Sequence, residues 1–506
     1  MFPIILFSAF ILLLIIIGLW GMRKTTNLND FILGGRDIGP WFSAMSFGTA
    51  YFSAVLFVGF AGVLGWRFGL SALWIAAGNA FIGSLACWLI LGPRARTMSH
   101  NLAAMTLPSF LHARFDSKTL RVLASLVIFV FLLPYSASVY KGLSYLFEAV
   151  FNIDYHWALI LMAGTTAIYL SLGGYFAATF IDFCLGMIMI LGCVLMVAFL
   201  IYAAGEPTTL IPRITEAYNT NVPPNIQPPV WSLAALVFMT SFGTWGLPQM
   251  SQKFFALKDP KLFTRGAFAT ALFAAIIGTA AYFTGAMLHL FYNNNTVPRT
   301  TVDSIKFDQL IPQLFQEQLP QWLTAIILLL MFAASMSTLT ALIMTSASAV
   351  VVDFIKPVLL PNLSEKKSLL TLRLTAALFI AFSCIIALYQ FSLILTLTAI
   401  SWGAVAGCFM GILLYSLFSK HTTKAAIITA IPISLTTMIA LTLYWDWSRA
   451  MVPLAACIAM IVPLITIPLI SRFTPKPDHA QTDLAFQSQS NLTTTPERYS
   501  SRSIKQ

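Results

Sequence analysis

Charged residues are scarce in this sequence of 506 residues. Asp, Glu, Lys and Arg together make up 9% of the chain, where a soluble protein carries about a quarter. The six histidines and six cysteines form no metal-binding pattern, and the chain contains no nucleotide-binding loop or nucleophile motif. These shortages exclude a soluble domain and argue against an enzyme or an ATP-driven pump.

What the chain has instead is hydrophobic residues, 58% of the total, gathered in runs close to the ~20 residues that cross a bilayer as a helix. The first run has no basic segment before it and no cleavage site, so we expect it to be retained. The polar tail, 472–506, is expected to be disordered. The sequence therefore predicts an all-α polytopic membrane protein with thirteen transmembrane helices, at 2–22, 40–66, 71–92, 122–149, 157–174, 177–203, 230–250, 266–293, 321–352, 369–389, 391–418, 424–444 and 450–471.

The net charge of +11 could suggest nucleic-acid binding, but the positions of the basic residues explain it differently. With the N-terminus outside, 23 of the 29 Lys and Arg residues fall on the inner side of the thirteen spans. This asymmetry is the positive-inside rule of membrane proteins. We therefore expect an external N-terminus, a cytoplasmic C-terminus and the lipid bilayer as partner, with no nucleic acid and no obligate protein partner.

A small polar tetrapeptide, SFGT, occurs at 46–49 in the second span and again at 241–244 in the seventh. Five spans separate the copies, so the second is inverted in the membrane. Inverted repeats with interrupted helices are typical of secondary transporters. Gly48 and Gly243 are therefore expected to break their helices, although small residues also allow helices to pack closely.

The ninth span carries small and hydroxyl-bearing side chains along one helical face. This face is either a closely packed seam or an oxygen surface for a small cation. A break in the second span would free carbonyls near Thr49 and Phe52, which together with span-nine hydroxyls could bind Na⁺. The face consists of Ala334, Ser337, Thr338, Ala341, Thr345 and Ser348.

Asp182 is the one acidic residue well inside a predicted span. A carboxylate at membrane depth is costly unless it is paired or hydrated, so it indicates a role in an ion pathway. The alternative is a residue near the inner mouth, held by a serine or by a basic loop.

Four stretches resemble the sodium:solute symporter family: GGRDIGPWFSAMSFGTAYFSAVLFVGFAG (34–62), GGYFAATFIDF (173–183), GLPQMSQKFFALKD (246–259) and AASMSTLTALIMTSASAVVVDF (333–354). The resemblance covers about residues 25 to 470. It implies the leucine-transporter type of fold, with two inverted five-helix repeats whose first helices are broken. The repeats would be 40–203 and 230–418, preceded by an extra helix at 1–22 and followed by two helices within 424–471.

The resemblance also implies two sites. A sodium site would use the carbonyls of Thr49, Phe52 and Ala334 with the hydroxyls of Ser337 and Thr338. Asp182 would lie near this site, and Thr340 falls where some members add a ligand for a second ion. The implied solute-binding residues are Tyr51, Ser53, Leu56, Tyr135, Thr240, Thr244 and Trp245.

Together these features predict a Na⁺-coupled secondary symporter in a bacterial inner membrane that imports a small organic solute. An amino acid such as proline is the first expectation, although the proline-carrying branch has an acidic residue where this chain has Tyr51. The alternatives are a short monocarboxylate or a vitamin such as pantothenate. A passive channel and a transporter-like sensor are the alternatives from other classes of protein.

Overall fold

The structure is a computed structural model, and it describes residues 5, 7–13, 16–17 and 28–487, apart from 152, 300–303, 391 and 449. Within these residues the protein is helical, with two isolated β-bridges and no strand. Most of the expected first span, 2–22, and the tail beyond residue 487 lie outside the described residues.

The α-helices of the described part follow in chain order. The first ten are α1 Leu28–Leu33, α2 Pro40–Tyr51, α3 Gly62–Phe68, α4 Leu73–Gly78, α5 Cys87–Ile90, α6 Gly92–Asn101, α7 Leu107–Phe115, α8 Lys118–Phe151, α9 Tyr155–Ala204 and α10 Leu210–Asn221. The next ten are α11 Val230–Gly246, α12 Pro248–Ala256, α13 Phe263–Phe291, α14 Phe307–Gln318, α15 Gln321–Val350, α16 Glu365–Leu388, α17 Ile394–Phe418, α18 Lys424–Tyr444, α19 Val452–Phe473 and α20 His479–Phe486. Wider π-helical segments occupy Val55–Ala61, Asn79–Ala86 and Val351–Leu359. Short 3₁₀ turns lie at Gly34–Arg36, Gly69–Ala72, Pro207–Thr209 and Pro260–Leu262.

Nine helical segments of the described part are long and apolar enough to cross a membrane, or ten if the bent pair α11 and α12 forms one span. One of them, Pro40–Asn101, has 62 residues, about three times the length that a single crossing needs. It therefore has room for both of the spans expected at 40–66 and 71–92. The all-α polytopic class is confirmed, and the number thirteen stays a prediction.

Helix α9 is too long for one straight crossing. Its 50 residues would extend about 75 Å as a straight rod, against a hydrocarbon core of about 30 Å. Near its end, Phe199 packs on Trp322 at the start of α15, with ring centroids 5.4 Å apart. At its beginning, the Tyr155 hydroxyl donates to the Ala387 carbonyl near the end of α16, at 2.9 Å. The short connection between α15 and α16 makes those two helices antiparallel, so both ends of α9 lie at the same end of the bundle and the element bends back on itself.

Two helices are interrupted inside the bundle. Helix α2 ends at Tyr51, and Phe52 has extended backbone angles (φ −110°, ψ 109°) before the π-helical segment begins at Val55. Helix α11 ends at Gly246, and Leu247 (φ −78°, ψ 123°) leads into α12 with a bend of 47°. Both expected breaks are therefore present, each about three residues after a copy of the SFGT tetrapeptide.

The expectation that Gly48 and Gly243 themselves break the helices is wrong. Gly48 lies inside α2 and Gly243 inside α11. A Cβ atom on Gly48 would lie 2.5 Å from the ring of Phe273, and one on Gly243 would lie 2.6 Å from the ring of Trp402. These glycines have the alternative role of close packing, because they let an aromatic ring pack directly on the helix backbone.

One short helix, α20, lies within the polar tail that begins at residue 472. Helix α20 packs on α6 and α7. The Asn101 amide donates to the Gln487 carbonyl at 2.9 Å, and the Arg114 guanidinium donates to the Thr482 hydroxyl at 3.1 Å. The tail has too few apolar residues to fold alone, and the contacts of α20 come from the rest of the protein.

Candidate ion and solute sites

The break after α2 frees backbone carbonyls from their helical partners. The Ala54 N–H donates to the Ser335 hydroxyl at 3.0 Å, and the Val55 N–H donates to the Ser53 hydroxyl at 3.2 Å. In an uninterrupted helix these two N–H groups would bind the carbonyls of Ala50 and Tyr51. The last turn of α2 therefore presents carbonyl oxygens to other partners.

Two hydroxyls of α15 meet this turn. The Thr338 hydroxyl lies 3.1 Å from the Thr49 carbonyl, 3.3 Å from the Ala50 carbonyl and 3.1 Å from the carbonyl of Ala334 in its own helix. The Ser337 hydroxyl donates to the Thr49 hydroxyl at 2.8 Å. All of these side chains are buried. The result is a compact cluster of neutral oxygens between α2 and α15, which we call the oxygen cluster: the Thr49, Ala50 and Ala334 carbonyls with the Thr49, Ser337 and Thr338 hydroxyls.

The oxygen cluster contains four of the residues expected at the sodium site: Thr49, Ala334, Ser337 and Thr338. The Phe52 carbonyl accepts no hydrogen bond from these hydroxyls among the described residues, and the Ala50 carbonyl lies there instead. Sequence reasoning missed Ala50 because the break comes later than Gly48. It also missed Ser335, which is fully buried and lies off the hydroxyl face.

The donor set fits an alkali cation. Carbonyl and hydroxyl oxygens are the groups that replace the hydration shell of Na⁺ or K⁺ inside a membrane protein. The hydroxyl of Thr338 lies within 3.3 Å of three carbonyl oxygens, so a small ion could contact several of these oxygens after a small adjustment. No sulfur or imidazole atom belongs to the cluster, which is the chemistry expected for a hard cation.

Asp182 is buried beside the oxygen cluster and is held by a serine and a lysine. Its carboxylate accepts a hydrogen bond from the Ser46 hydroxyl, which in turn accepts one from the Lys253 ammonium. The Lys253 nitrogen lies 3.6 Å from the nearer carboxylate oxygen, and both side chains are about 5% exposed or less. This arrangement matches the structural alternative for Asp182. However, Ser46 lies one turn before Thr49, so the carboxylate is also close enough to influence an ion in the oxygen cluster.

Thr340 lies three residues after Ser337 on α15 and is 3% exposed. Its hydroxyl makes no hydrogen bond to any described residue. The next position on the helix is Ala341, which has no oxygen in its side chain. Thr340 is therefore placed near the oxygen cluster without being part of it.

A small cavity lies next to the break in α2. It is lined by Tyr51, Phe52, Val55, Leu56, Phe60, Asn79, Tyr135, Thr240, Tyr282, Thr398 and Trp402. About 30 Å³ of it is open to the centres of water molecules, which is room for about two waters. An organic solute would therefore require its walls to move apart.

Four of the residues expected to bind solute line this cavity: Tyr51, Leu56, Tyr135 and Thr240. The Tyr51 hydroxyl donates to the Thr240 carbonyl at 2.7 Å, which joins the two broken helices across the cavity. The ring of Tyr51 also stacks on Trp402, with centroids 6.2 Å apart.

The other three expected solute-binding residues, Ser53, Thr244 and Trp245, lie outside the cavity lining. Ser53 uses its hydroxyl to cap the Val55 N–H. The Thr244 hydroxyl donates to the Gly83 carbonyl at 2.9 Å, and the Trp245 indole donates to the Ile82 carbonyl at 3.0 Å. Their polar atoms therefore stabilise the contact between α11 and the π-helical segment Asn79–Ala86.

Several lining residues were missed because they come from distant segments. Thr398 and Trp402 lie four residues apart on α17, so they share one helical face. Asn79 is an amide inside an apolar segment, which is itself a functional signal in a membrane protein. Those two signals were available in the sequence, whereas nothing in it distinguishes Tyr282 from other tyrosines.

Buried ion pairs also join the helices on either side of these sites. The Lys141 nitrogen lies 3.1 Å from the Asp308 carboxylate and donates to the Ser392 carbonyl, linking α8, α14 and the connection before α17. The Arg121 guanidinium at the start of α8 lies 2.8 Å from the fully buried Asp353, in the π-helical segment Val351–Leu359 that follows α15. Breaking a buried pair by removing one partner is strongly destabilising, so these pairs fix the packing of the helices concerned.

Broken helices that meet around a cation-type oxygen cluster and a small cavity define a secondary transporter rather than an enzyme. The model of the sodium:solute symporter family matches residues 31–432, and the chain belongs to that family. It is therefore a Na⁺-coupled solute symporter with the leucine-transporter type of fold.

Known proteins agree with this assignment. The chain is 28% identical over 445 residues to a sodium/proline symporter of Haemophilus influenzae, covering 86% of this chain and 87% of that protein. It is 27% identical over 487 residues to the high-affinity proline transporter PutP of Bacillus subtilis, covering 93% and 98%. A solved structure of a Na⁺-coupled sialic acid symporter matches 94% of this chain and 99% of its own, with a TM-score of 0.76 at 16% identity. That last similarity concerns the fold alone.

Proposed function

We propose that this protein uses the Na⁺ gradient to import proline or a similarly compact carboxylic acid. The observation that carries the proposal is the small aromatic cavity lying directly beside the oxygen cluster. Tyr51 lines the cavity and Thr49 belongs to the oxygen cluster, only two residues apart on α2. The two relatives that are named as proline transporters support proline as the first solute to test.

In this proposal Na⁺ binds in the oxygen cluster, to Thr49, Ala50, Ala334, Ser337 and Thr338. An ion there joins α2 to α15 and fixes the last turn of α2. Because the same turn carries Tyr51 into the cavity wall, ion binding would shape the solute site. This shared turn is a physical route for coupling, since each ligand stabilises the conformation that the other one needs.

Residues outside the oxygen cluster have supporting roles. Asp182 would make the region attractive to a cation, and Thr340 would lie near the ion during its movement. Tyr51, Leu56, Tyr135 and Thr240 would contact the solute. Ser53, Thr244 and Trp245 would act by holding the two breaks in shape, since each of them bonds to backbone groups.

The proposed topology has thirteen spans, with the N-terminus outside and the C-terminus in the cytoplasm of a bacterium. The inverted repeats would be 40–203 and 230–418, with the extra helix 1–22 before them and two helices within 424–471 after them. Breaks at equivalent places in α2 and α11 support the repeats, and the one-sided distribution of Lys and Arg supports the orientation. A reporter fused after Ile470 should be cytoplasmic and a tag before Phe2 external. Finding both on one side would contradict this topology.

A short monocarboxylate is the second candidate solute. The cavity lining contains no acidic side chain among the described residues, and such a side chain would be the natural partner for the amine of an amino acid. A sugar is less suited, because its many hydroxyls need many polar partners. A passive channel or a sensor would share the fold, but neither would accumulate solute.

Reconstituted vesicles test the function directly. Radiolabelled proline, other small amino acids and short monocarboxylates are supplied with an inward Na⁺ gradient or an equal K⁺ gradient. Accumulation above the external concentration that needs Na⁺ supports the proposal. Uptake that only equilibrates the solute would indicate a channel, and no uptake of any carboxylate with Na⁺ would exclude the proposed function.

A further inference from the structure

Two side chains that line the solute cavity carry polar hydrogens that make no hydrogen bond within the described part of the chain. Trp402 and Tyr282 both line the cavity and are 4% and 0% exposed. The Trp402 indole nitrogen and the Tyr282 hydroxyl make no hydrogen bond to any described residue. Trp402 comes near the Tyr135 hydroxyl, and Tyr282 comes near the Asn79 amide, but neither contact has hydrogen-bond geometry. Buried polar groups are nearly always paired, and two such groups that line one cavity can be paired by a ligand.

The chemistry of these groups restricts what the ligand presents to them. An indole N–H only donates, and a tyrosine hydroxyl can donate as well. The matching group on the solute must therefore accept hydrogen bonds. A carboxylate is the strongest such acceptor on a small solute, since hydrogen bonds to an ionised oxygen are about twice as strong as neutral ones.

The backbone of the break offers no substitute for these side chains. In some transporters of this architecture, the free N–H groups of a broken helix bind the carboxylate of the solute. Here the Ala54 N–H is taken by Ser335 and the Val55 N–H by Ser53. The second break begins α12 with Pro248, which has no N–H at all. These backbone positions are therefore not available to a carboxylate in this cavity, which leaves the side chains of the lining as its donors.

An amine on the solute would find much weaker partners. None of the described lining residues is ionised at neutral pH. The Thr240 carbonyl at the cavity wall already accepts the Tyr51 hydroxyl. Aromatic faces can attract a cation, but they bind it less specifically than a carboxylate does.

From these contacts we propose that Trp402 and Tyr282 donate hydrogen bonds to the carboxylate of the solute. The solute class is then a compact monocarboxylate with an apolar body, in which the carboxylate is essential and the amine is dispensable. The inference rests on the proposed function and narrows its solute class. It also assigns two binding residues, on α17 and α13, that lie outside the broken helices.

Ligand competition tests the solute class. Uptake of radiolabelled proline, or of whichever carboxylate shows Na⁺-dependent uptake, is measured against cyclopentanecarboxylate and against prolinamide. We expect cyclopentanecarboxylate to compete within about threefold of proline, and prolinamide at least about tenfold more weakly, because the amide loses the charged acceptor. Prolinamide competing as well as proline, or cyclopentanecarboxylate failing to compete, would overturn the proposal.

Two variants with matched controls test the residues. Trp402→Phe and Tyr282→Phe each remove one donor and keep a ring. Each should raise the half-saturating solute concentration about tenfold and reduce the preference for acid over amide. Trp88→Phe and Tyr140→Phe remove donors that are equally buried and unbonded to described residues, yet lie outside the cavity lining. They should leave solute affinity and the acid preference unchanged.

The outcomes distinguish a failure of the proposed function from a failure of the assignment of Trp402 and Tyr282. If no carboxylate is taken up with Na⁺ by the unmodified protein, the proposed function fails. If uptake is present but all four variants show the same acid-over-amide preference as the unmodified protein, the function stands and the assignment of Trp402 and Tyr282 is wrong.

Discussion

The two copies of the SFGT tetrapeptide share their local structure and differ in what surrounds them. Ser46–Thr49 and Ser241–Thr244 both lie in the last turns of a helix that then breaks. In each copy the glycine lets an aromatic ring pack on the backbone. The first copy, however, faces a carboxylate, a lysine and the hydroxyls of α15, whereas the second faces the uncharged π-helical segment Asn79–Ala86.

This difference shows that the tetrapeptide encodes the shape of a broken helix, and that its neighbours decide the chemistry. In the second copy the Thr244 hydroxyl binds the Gly83 carbonyl, so that hydroxyl is satisfied within the protein. In the first copy the Thr49 hydroxyl also donates within the protein, to the Met45 carbonyl at 2.9 Å, but it accepts from Ser337 and belongs to the oxygen cluster, whose internal hydrogen bonds a cation can replace. The first copy is therefore suited to ion binding and the second to support of the solute cavity.

The largest expected effect comes from removing the positive charge that lies beside the first SFGT copy. Lys253→Met leaves the Asp182 carboxylate buried without its cation, which costs about 3–5 kcal/mol. We expect little folded protein in the membrane and no uptake. Size-exclusion chromatography of the detergent-solubilised protein gives the folded fraction.

A double variant tests whether the loss of folded protein comes from the unpaired charge of Asp182 or from the changed shape of the side chain at position 253. Lys253→Met combined with Asp182→Asn removes both charges, so folded protein should return. If the single variant folds normally, the pair does not hold the first copy in place. If the double variant folds but its Na⁺ dependence is unchanged, Asp182 has only a structural role.

The next largest effect concerns the hydroxyls that distinguish the first copy from the second. Ser337→Ala and Thr338→Val each remove one oxygen from the oxygen cluster. Each loss should cost on the order of 1–3 kcal/mol, or about ten- to a hundredfold in Na⁺ affinity. Uptake measured against Na⁺ concentration, corrected for the amount of protein, gives the affinity.

Matched controls lie further along the same face of α15. The Thr345 hydroxyl donates to the Gln252 side chain at 2.8 Å, and the Ser348 hydroxyl donates to the Met344 carbonyl in its own helix. Thr345→Val and Ser348→Ala should therefore change stability without changing Na⁺ affinity. Equal shifts in Na⁺ affinity at all four positions would show that the face is only a packing seam.

Replacing the glycine of either copy by alanine should have a smaller effect, and the ligand whose binding weakens should differ between the two copies. A methyl group on Gly48 or Gly243 would press on Phe273 or Trp402 and cost about 1–3 kcal/mol of stability. Because Gly48 adjoins Thr49, Gly48→Ala should mainly weaken Na⁺ binding. Because Trp402 lines the cavity, Gly243→Ala should mainly weaken solute binding. Thermal unfolding and the two half-saturation constants test this, and the reverse assignment would contradict the division of roles.

The sequence predicts much of the fold and part of the site, for identifiable reasons. Long apolar runs determine membrane helices, and helical periodicity alone places Ser337 and Thr338 on one face. The position of each break was less predictable, because Gly48 and Gly243 are packing residues and the backbone opens later. Contacts such as Ser46 with Lys253, 207 residues apart in the chain, depend on how distant helices assemble. The same is true of Tyr282 and Trp402, which reach the cavity from α13 and α17.

The smallest and most direct test exchanges the threonine of each copy for valine, which keeps the shape of the side chain and removes its hydroxyl. Thr49→Val deprives the Ser337 hydroxyl of its acceptor and takes an oxygen from the oxygen cluster. We expect Na⁺ affinity to fall about three- to tenfold, less than for Ser337→Ala or Thr338→Val, because the Thr49 carbonyl remains in the oxygen cluster. Thr244→Val deprives the Gly83 carbonyl of its donor, so stability should fall by about 1 kcal/mol while Na⁺ affinity stays unchanged. Both variants are measured by uptake against Na⁺ concentration at saturating solute. If Thr244→Val weakens Na⁺ binding as much as Thr49→Val does, then ion binding depends on the shape of both breaks rather than on the oxygens that surround only the first.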